Sequence, residues 1–369
     1  MSGFAPIDEP NEPNHKREPL VQLKPILVNL DDVVSKPIAW LWKDRIAIGK
    51  LTMISGDPCL GKSTFTMDIA ARVSNGAPWA DIPEVEREAG GVVILSAEDD
   101  LADTIKPRLQ AAGANTKRIV ALKAVQRSCD DVVYETMFSL ATDMLQLRQA
   151  VEKVDDCRLI VIDPISAYLG GTDSHKDAQV RGVLAPLSEL ASDLGVAVIT
   201  VAHLNKSNGG KAIYRTGGSI AFVAAVRSAF VVVKDLKDPN RRLVLPTKNN
   251  LAPSDIGGLA YTVESATVPV EGGEVSAPLV MIEPDPVVGC ADDYMVEPNV
   301  EEDDQDDATE WLKDTLSDGA VGSTELFRMA SLQGFNKNII RRAYNRLGGK
   351  PKKSGFDGGW NWELPFLSQ

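Results

Sequence analysis

The stretch LTMISGDPCLGKST, residues 51–64, joins a short apolar run to a helix-length segment through a glycine-bearing turn. Within it Gly56, Asp57, Pro58, Cys59, Leu60, Gly61, Lys62, Ser63 and Thr64 match the pattern GxxxxGK(S/T), set between a strand and a helix. Glycine lets backbone N–H groups turn inward around phosphate oxygens with no Cβ in the way. The helix that follows adds unpaired N–H groups and the positive end of its dipole. In such a turn Lys62 bridges the β- and γ-phosphates as a point charge and the Ser63 hydroxyl ligates a divalent ion, so ATP and Mg²⁺ are the expected ligands. A chance match is the alternative, and the strand-before, helix-after setting weighs against it.

Similar apolar runs recur at Leu51–Ser55, Gly91–Ala97, Leu159–Asp163, Val196–Ala202 and Phe230–Lys234. The first four are uniformly apolar, as parallel strands buried on both faces are. Between them lie helix-length segments, Ser63–Ser74, Leu101–Ala112, Ser139–Val154 and Lys176–Leu194. In the last, Val180, Val183, Leu184, Leu187, Leu190, Ala191 and Leu194 share one helical face. The alternation predicts an α/β fold, a mostly parallel sheet with helices on both sides. Ala229–Asp235 and Arg241–Thr247 flank a Pro-Asn turn and predict an antiparallel hairpin at the sheet edge.

Strand-end polar residues supply the remaining chemistry. Arg158-Leu-Ile-Val-Ile-Asp163 is an apolar strand closed by a carboxylate, placed where doubly wound sheets keep their ligands. Its expected task is to hold Mg²⁺ through water; an ordinary Asp-Pro turn is the plainer alternative. Gly91–Ala97 ends in Glu98-Asp99-Asp100. Glu98 is the candidate general base that orients the attacking water. Asp99 and Asp100 suit the start of the next helix as N-cap and first-turn acids. Val198–Ala202 delivers His203, either a γ-phosphate sensor or a hydrogen-bonded structural histidine.

Taken in order, GKLTMISGDPCLGKST, VVILSAEDD, LIVIDPISAY, VAVITVAHLNK, RTGGSIAFVAAVRSAF and LPTKNNLAP make the chain resemble the RecA-like ATPases of the RepA/KaiC/DnaB type. Within that type it is most similar to the plasmid- and phage-borne RepA-like helicase branch, often labelled AAA-family ATPases. The resemblance spans about residues 30 to 265. It implies a homo-oligomeric ring, usually of six subunits, with ATP at subunit interfaces. By the same analogy Glu98 is the catalytic carboxylate, Asp163 the Walker B acid and His203 the sensor. Arg227 takes the place of an arginine finger acting on the neighbour's γ-phosphate, with Arg215 as the other candidate. Lys248 matches the lysine of a K-x-R element, and Asn250 stands where its arginine belongs. Cys59 is a second departure, at a position where relatives mostly carry Gly.

Nucleic acid has two candidate surfaces. The loops Gly170–Lys176 and Lys206–Gly218 follow strand ends, and the second carries Lys206, Lys211, Tyr214 and Arg215 among glycines. Basic, flexible loops with one stacking residue suit sequence-tolerant contact with single-stranded DNA, although mobile surface loops have the same composition. The segment 308–369 resembles a winged helix. Its helix Asn336–Leu347 turns Ile339, Ile340, Ala343 and Leu347 to a core and leaves Lys337, Arg341, Arg342 and Arg346 largely outside. Lys350, Lys352 and Lys353 continue the basic surface towards Trp360 and Trp362. From Thr309 onward nine Lys or Arg stand against six Asp or Glu, although the whole chain carries a net charge of −13. Duplex DNA binding through such a helix and protein docking are both uses of this module.

The expected organisation is a flexible segment over 1–28, an ATPase domain over 29–265, an acidic Pro/Gly-rich linker over 266–307 and the small module over 308–369. With 369 residues, 44% apolar and 25% charged, the composition is that of a globular chain. No run approaches about eighteen apolar residues, so no membrane association is expected. Cys59, Cys129, Cys157 and Cys290 lack metal or CxxC spacing and suit reduced thiols in a cytoplasmic setting. The negative charge argues against nonspecific nucleic-acid binding by the whole surface. Together these features predict a ring-forming ATPase that works as a DNA helicase or translocase in replication of a phage, plasmid or mobile element. The alternatives are an ATP-dependent regulator or recombination mediator of the same fold that does not unwind, and a non-catalytic DNA-binding switch.

Overall fold

The computed structural model describes residues 25–129, 132–172, 176–204, 220–253, 256–288, 291–294, 300–317, 319–335, 337–349, 351–353 and 360–364. The chain divides into two units, Met1–Pro37 and Ile38–Gln369. In the described part of the first, Asn29 caps a single 3-10 turn, Leu30–Asp32.

The second unit opens with the short antiparallel pair β1 (Trp40–Trp42) and β2 (Ile46–Ala47), then β3 (Leu51–Gly56) and α1 (Lys62–Asn75). There follow β4 (Gly91–Ser96), α2 (Lys106–Ala111), β5 (Ile119–Ala121), the ribbon β6 (Val125–Cys129) and β7 (Val132–Thr136), and α3 (Met144–Glu152). Next come β8 (Cys157–Asp163), α4 (Asp177–Leu194), β9 (Ala197–His203), the helix Ile220–Ala225, β10 (Ser228–Lys234), β11 (Arg241–Asn249), β12 (Leu259–Val270) and β13 (Gly273–Ile282). One nine-stranded sheet runs β13-β12-β11-β10-β3-β9-β8-β4-β5. It is parallel from β10 through β5 and antiparallel from β10 through β13.

The parallel strands β3, β4, β8, β9 and β10 are buried along most of their length because both faces are covered, whereas β5 at the edge is partly exposed. Met53, Val93, Leu95, Ile160, Ile162 and Val198 face one core with α3, α4 and Ile220–Ala225. Their alternates Ile54, Val92, Ile94, Leu159, Val161 and Ile199 face a second core with α1 and α2. The expected α4 face is the buried one, from Val180 to Ala191, with Leu194 half-buried. The fold is α/β with a mostly parallel sheet. Among the described residues no helix is long and apolar enough to cross a membrane.

Two expectations need correction. The β10–β11 hairpin forms but is not the edge: β12 and β13 extend the sheet, so residues 266–270 and 273–282, expected within a linker, are strand. Pro269, Pro278 and the Glu271-Gly272 turn mask the alternating pattern there, yet β12 and β13 pair without a register break from Tyr261↔Ile282 to Val270↔Gly273. The acidic run Glu301–Asp307 lies in one helix with Thr309–Leu316, spanning Val300–Leu316. Acidic residues stabilise a helix when they fall in its first turns, against the positive end of the dipole.

After that helix come Val321–Gly322, helices Ser323–Leu332 and Lys337–Arg346, and strands Lys352–Lys353 and Trp360–Trp362. The three short strands form a sheet with Trp360–Trp362 in the middle. Their core is Leu312, Leu316, Leu326, Ala330, Ile340, Ala343, Tyr344 and Trp362. Ile340 and Ala343 were expected in it; Tyr344, whose ring lies 4.4 Å from that of Trp362, was not.

Candidate functional site

The sheet delivers four chain segments to one pole. Gly56 ends β3 opposite His203 at the end of β9, and Ser96 ends β4 opposite Asp163 at the end of β8. Between β3 and α1 the backbone turns tightly. A Cβ on Gly56 would stand 2.7 Å from the Val232 carbonyl oxygen, and Gly61 enters α1 with φ +81°. Cys59 also has a left-handed backbone, φ +64°, which disfavours a side chain by about 1 kcal/mol or more relative to glycine.

Lys62 is buried, and its ammonium donates to the carbonyls of Gly56 (2.9 Å) and Asp57 (2.7 Å), with His203 Nδ1 at 3.5 Å. Burial pulls its pKa below the usual lysine value, opposed by Asp163, Asp57 and Glu98. Asp163 is buried too, and desolvation holds its carboxyl above the usual range even though the Ser63 hydroxyl donates to it and Lys62 lies close. A hydroxyl and a carboxylate side by side are hard oxygen donors, the set that suits Mg²⁺ with water completing its shell.

Glu98 lies just past β4, exposed, with Oε1 3.9 Å from His203 Nε2. Its neighbours are otherwise engaged. Asp99 pairs with Arg108 at 2.6 Å. Asp100 accepts from the N–H groups of Ala102 (2.7 Å) and Asp103 (3.2 Å), bonds that hold its carboxyl below the usual range, and so caps the turn Leu101–Ile105. The capping role expected of the pair therefore falls to Asp100 alone.

Arg227 and Lys248 sit elsewhere. The Arg227 N–H bonds the Leu51 carbonyl, at the start of β3, while the phosphate turn follows its end at Gly56. Five strand residues at about 3.3 Å each put roughly 17 Å between the two places. The Lys248 ammonium donates to the carbonyls of Val223 (2.8 Å), Ala224 (3.1 Å) and Val226 (2.9 Å), closing the end of the helix Ile220–Ala225. Burial, and then Arg227, lower its pKa. Neither side chain is brought to the turn of its own chain.

Lys206, Lys211, Tyr214 and Arg215 lie outside the described residues, as do the side chains of Arg342 and Lys353. Arg341 is exposed, its guanidinium carbon 5.7 Å from the Phe327 ring centre. Arg346 is exposed as well. Lys352, expected on a nucleic-acid surface, is paired with Glu363, so part of its charge is already neutralised.

Sequence reasoning missed Tyr261. From the middle of the antiparallel extension its hydroxyl donates to the Leu60 carbonyl at 2.7 Å. The available signal was a tyrosine in an alternating run, Leu259-Ala-Tyr-Thr-Val, but no local spacing reveals a partner 201 positions away.

The profile of the AAA domain family matches residues 16–209, more than half of the chain. The chain belongs to the AAA domain family. The part matched to the AAA domain carries Gly56–Thr64, Glu98, Asp163 and His203 and stops short of Arg227, Lys248 and Tyr261. Among curated proteins it is similar to the DNA repair protein RadA of Halalkalibacterium halodurans, 30% identical over 165 residues, 44% of this chain and 29% of that one. It is also similar to the DNA repair protein RadA of Streptococcus pneumoniae, 27% identical over 161 residues, 43% of this chain and 31% of that one. The chain thus spans less than a third of the length of these curated relatives. One solved structure, itself an ATPase domain, superposes with a TM-score of 0.42 at 15% identity, covering 60% of this chain and 82% of that one. The AAA domain of this chain is a P-loop ATPase with a RecA-like sheet.

Proposed function

We propose that the chain hydrolyses Mg-ATP within a ring of identical subunits, six by the family resemblance, and uses the energy to move along or remodel DNA in replication of a phage, plasmid or mobile element. The supporting observation is the division of the machinery between two poles. Lys62, Ser63, Asp163, Glu98 and His203 gather at one end of the sheet, and the cations Arg227 and Lys248 sit at the other. A phosphate turn alone leaves transition-state charge poorly neutralised, and an added arginine contributes on the order of 10³–10⁵ in rate. In this reading Arg227, or Arg215, comes from an adjacent copy, with Lys248 beside it.

The side chains divide the work. Lys62 exchanges the carbonyls of Gly56 and Asp57 for phosphate oxygens, drawing charge away from the bond that breaks. Ser63 and Asp163 would hold Mg²⁺, which when bound would supply charge neutralisation to the phosphates. Glu98 orients the attacking water and accepts its proton, and His203, within reach of both Lys62 and Glu98, registers whether the terminal phosphate is present. The C-terminal order helix, strand, helix, helix, strand, strand supports the winged-helix reading and, with it, duplex contact through Lys337–Arg346. Single-stranded DNA is assigned to the loop with Lys206, Lys211 and Tyr214, and the setting is cytoplasmic.

The test is ATP turnover with and without single-stranded DNA, paired with the mass of the ATP-bound assembly. Lys62→Ala is expected to lower turnover by on the order of 10²–10³; full activity in that variant removes the mechanism. A second reading, an ATP-dependent recombination or repair mediator that does not unwind, is favoured by the relatives named as DNA repair proteins. Strand displacement on forked DNA separates the two, since only the helicase releases a strand when ATP is supplied.

A further inference from the structure

The geometry assigns Tyr261 as a positioning residue for the phosphate cradle: its hydroxyl, by bonding the Leu60 carbonyl, aims the Gly61 N–H at the phosphates. This rests on the nucleotide reading above and adds a residue that lies beyond the matched family region.

A trans peptide is planar, and its C=O and N–H point in opposite directions. Anchoring the Leu60 oxygen towards β12 therefore turns the Gly61 N–H away from β12, into the concave side of the turn. The anchor is rigid. Tyr261 lies opposite Arg242 of β11 and Ile282 of β13, so the ladder holds its backbone from both sides. Its ring stacks on Phe65 of α1, with centroids 5.2 Å apart and planes 17° from parallel. A Cβ on Gly61 would stand 3.4 Å from Val263 and 3.6 Å from the Tyr261 hydroxyl, so β12 fits closely under the turn. Tyr261 is fully buried and Leu60 nearly so, so a Leu60 carbonyl without this donor lacks a partner and the peptide is free to rotate towards another. Burial pushes the Tyr261 phenol up, which keeps the donor proton in place at any working pH.

The effect belongs to the phosphates and not to the base. In Tyr261→Phe, calorimetric titration of the full chain with Mg-ATP and with inorganic tripolyphosphate is expected to show both dissociation constants raised by the same factor, about 5- to 30-fold. The ATP concentration for half-maximal turnover is expected to rise in parallel, because the turn must be ordered before its ligand can hold it. Phe65→Leu, which removes the stack and keeps the hydrogen bond, is expected to lower the melting temperature and leave tripolyphosphate binding unchanged. The inference falls if Tyr261→Phe binds tripolyphosphate like the wild type, or if Phe65→Leu weakens binding equally, since packing alone then accounts for it. Failure of the wild type to bind either ligand overturns the nucleotide site itself, and this inference with it.

Discussion

Asp163 holds its proton more tightly in the folded chain than an unfolded aspartate does, because burial outweighs the Ser63 hydrogen bond and the nearby Lys62 charge. The folded state then binds more protons than the unfolded state between the unfolded pKa and the raised one. Stability is therefore greatest at low pH and falls as pH rises through that window. Asp163→Asn keeps an acceptor for Ser63 and removes the titration. Thermal melts without nucleotide are expected to place the variant above the wild type at pH 7.5, with the two converging towards pH 4. ATP turnover in the variant is expected to drop by on the order of 10²-fold, since under the proposed reading the metal loses its carboxylate. Residues of this kind were legible in the sequence because their meaning is local: Lys62 and Ser63 sit in a fixed spacing, and Asp163 closes an apolar run. At Cys59 the resemblance led to an expectation of glycine, and the backbone there is left-handed, a conformation that glycine adopts at less cost. Tyr261 was not legible, since its partner is fixed by the sheet and not by spacing.

Among the elements, β3, β4, β8, β9, β10 and α1 to α4 follow from apolar runs and helical periodicity, whereas β5, three residues at the exposed edge, carries no such run. The antiparallel extension does not, because its alternation is interrupted by proline and glycine and its outer face carries acid. Its coherence depends on Arg241 at the β10–β11 turn. That guanidinium donates to both oxygens of Glu283 just past β13, at 2.7 Å each, and to Asp235 just past β10 at 2.5 Å. The fork ties three strands together at the pole of the phosphate turn. Arg241→Ala leaves two carboxylates without it and is expected to lower stability by on the order of 2 kcal/mol, measured by urea titration. The acidic stretch 301–307 went unrecognised as helix for a related reason. Its charge suggested a linker, whereas position at a helix start makes that charge favourable.

For the molecule as a whole, the separation between the phosphate turn and Arg227 leads to a mixing experiment. Arg227→Ala and Lys62→Ala subunits, each inactive alone, are expected to regain about a quarter of wild-type turnover when co-assembled in equal amounts, because a quarter of the interfaces then hold both intact groups. Mixtures that stay inactive show that the two residues do not meet across an interface. The same separation carries a consequence for symmetry. Under the proposed sharing, each subunit gives from one end of its sheet and receives at the other, so every exchange has a direction. Two copies lying antiparallel about a two-fold axis would set each turn beside the other's far end, complete both sites at once and stop at a pair. Head-to-tail succession instead leaves one turn and one arginine open after each addition until a cycle closes or a helix runs on, so the mass of the ATP-bound assembly separates the ring from the pair.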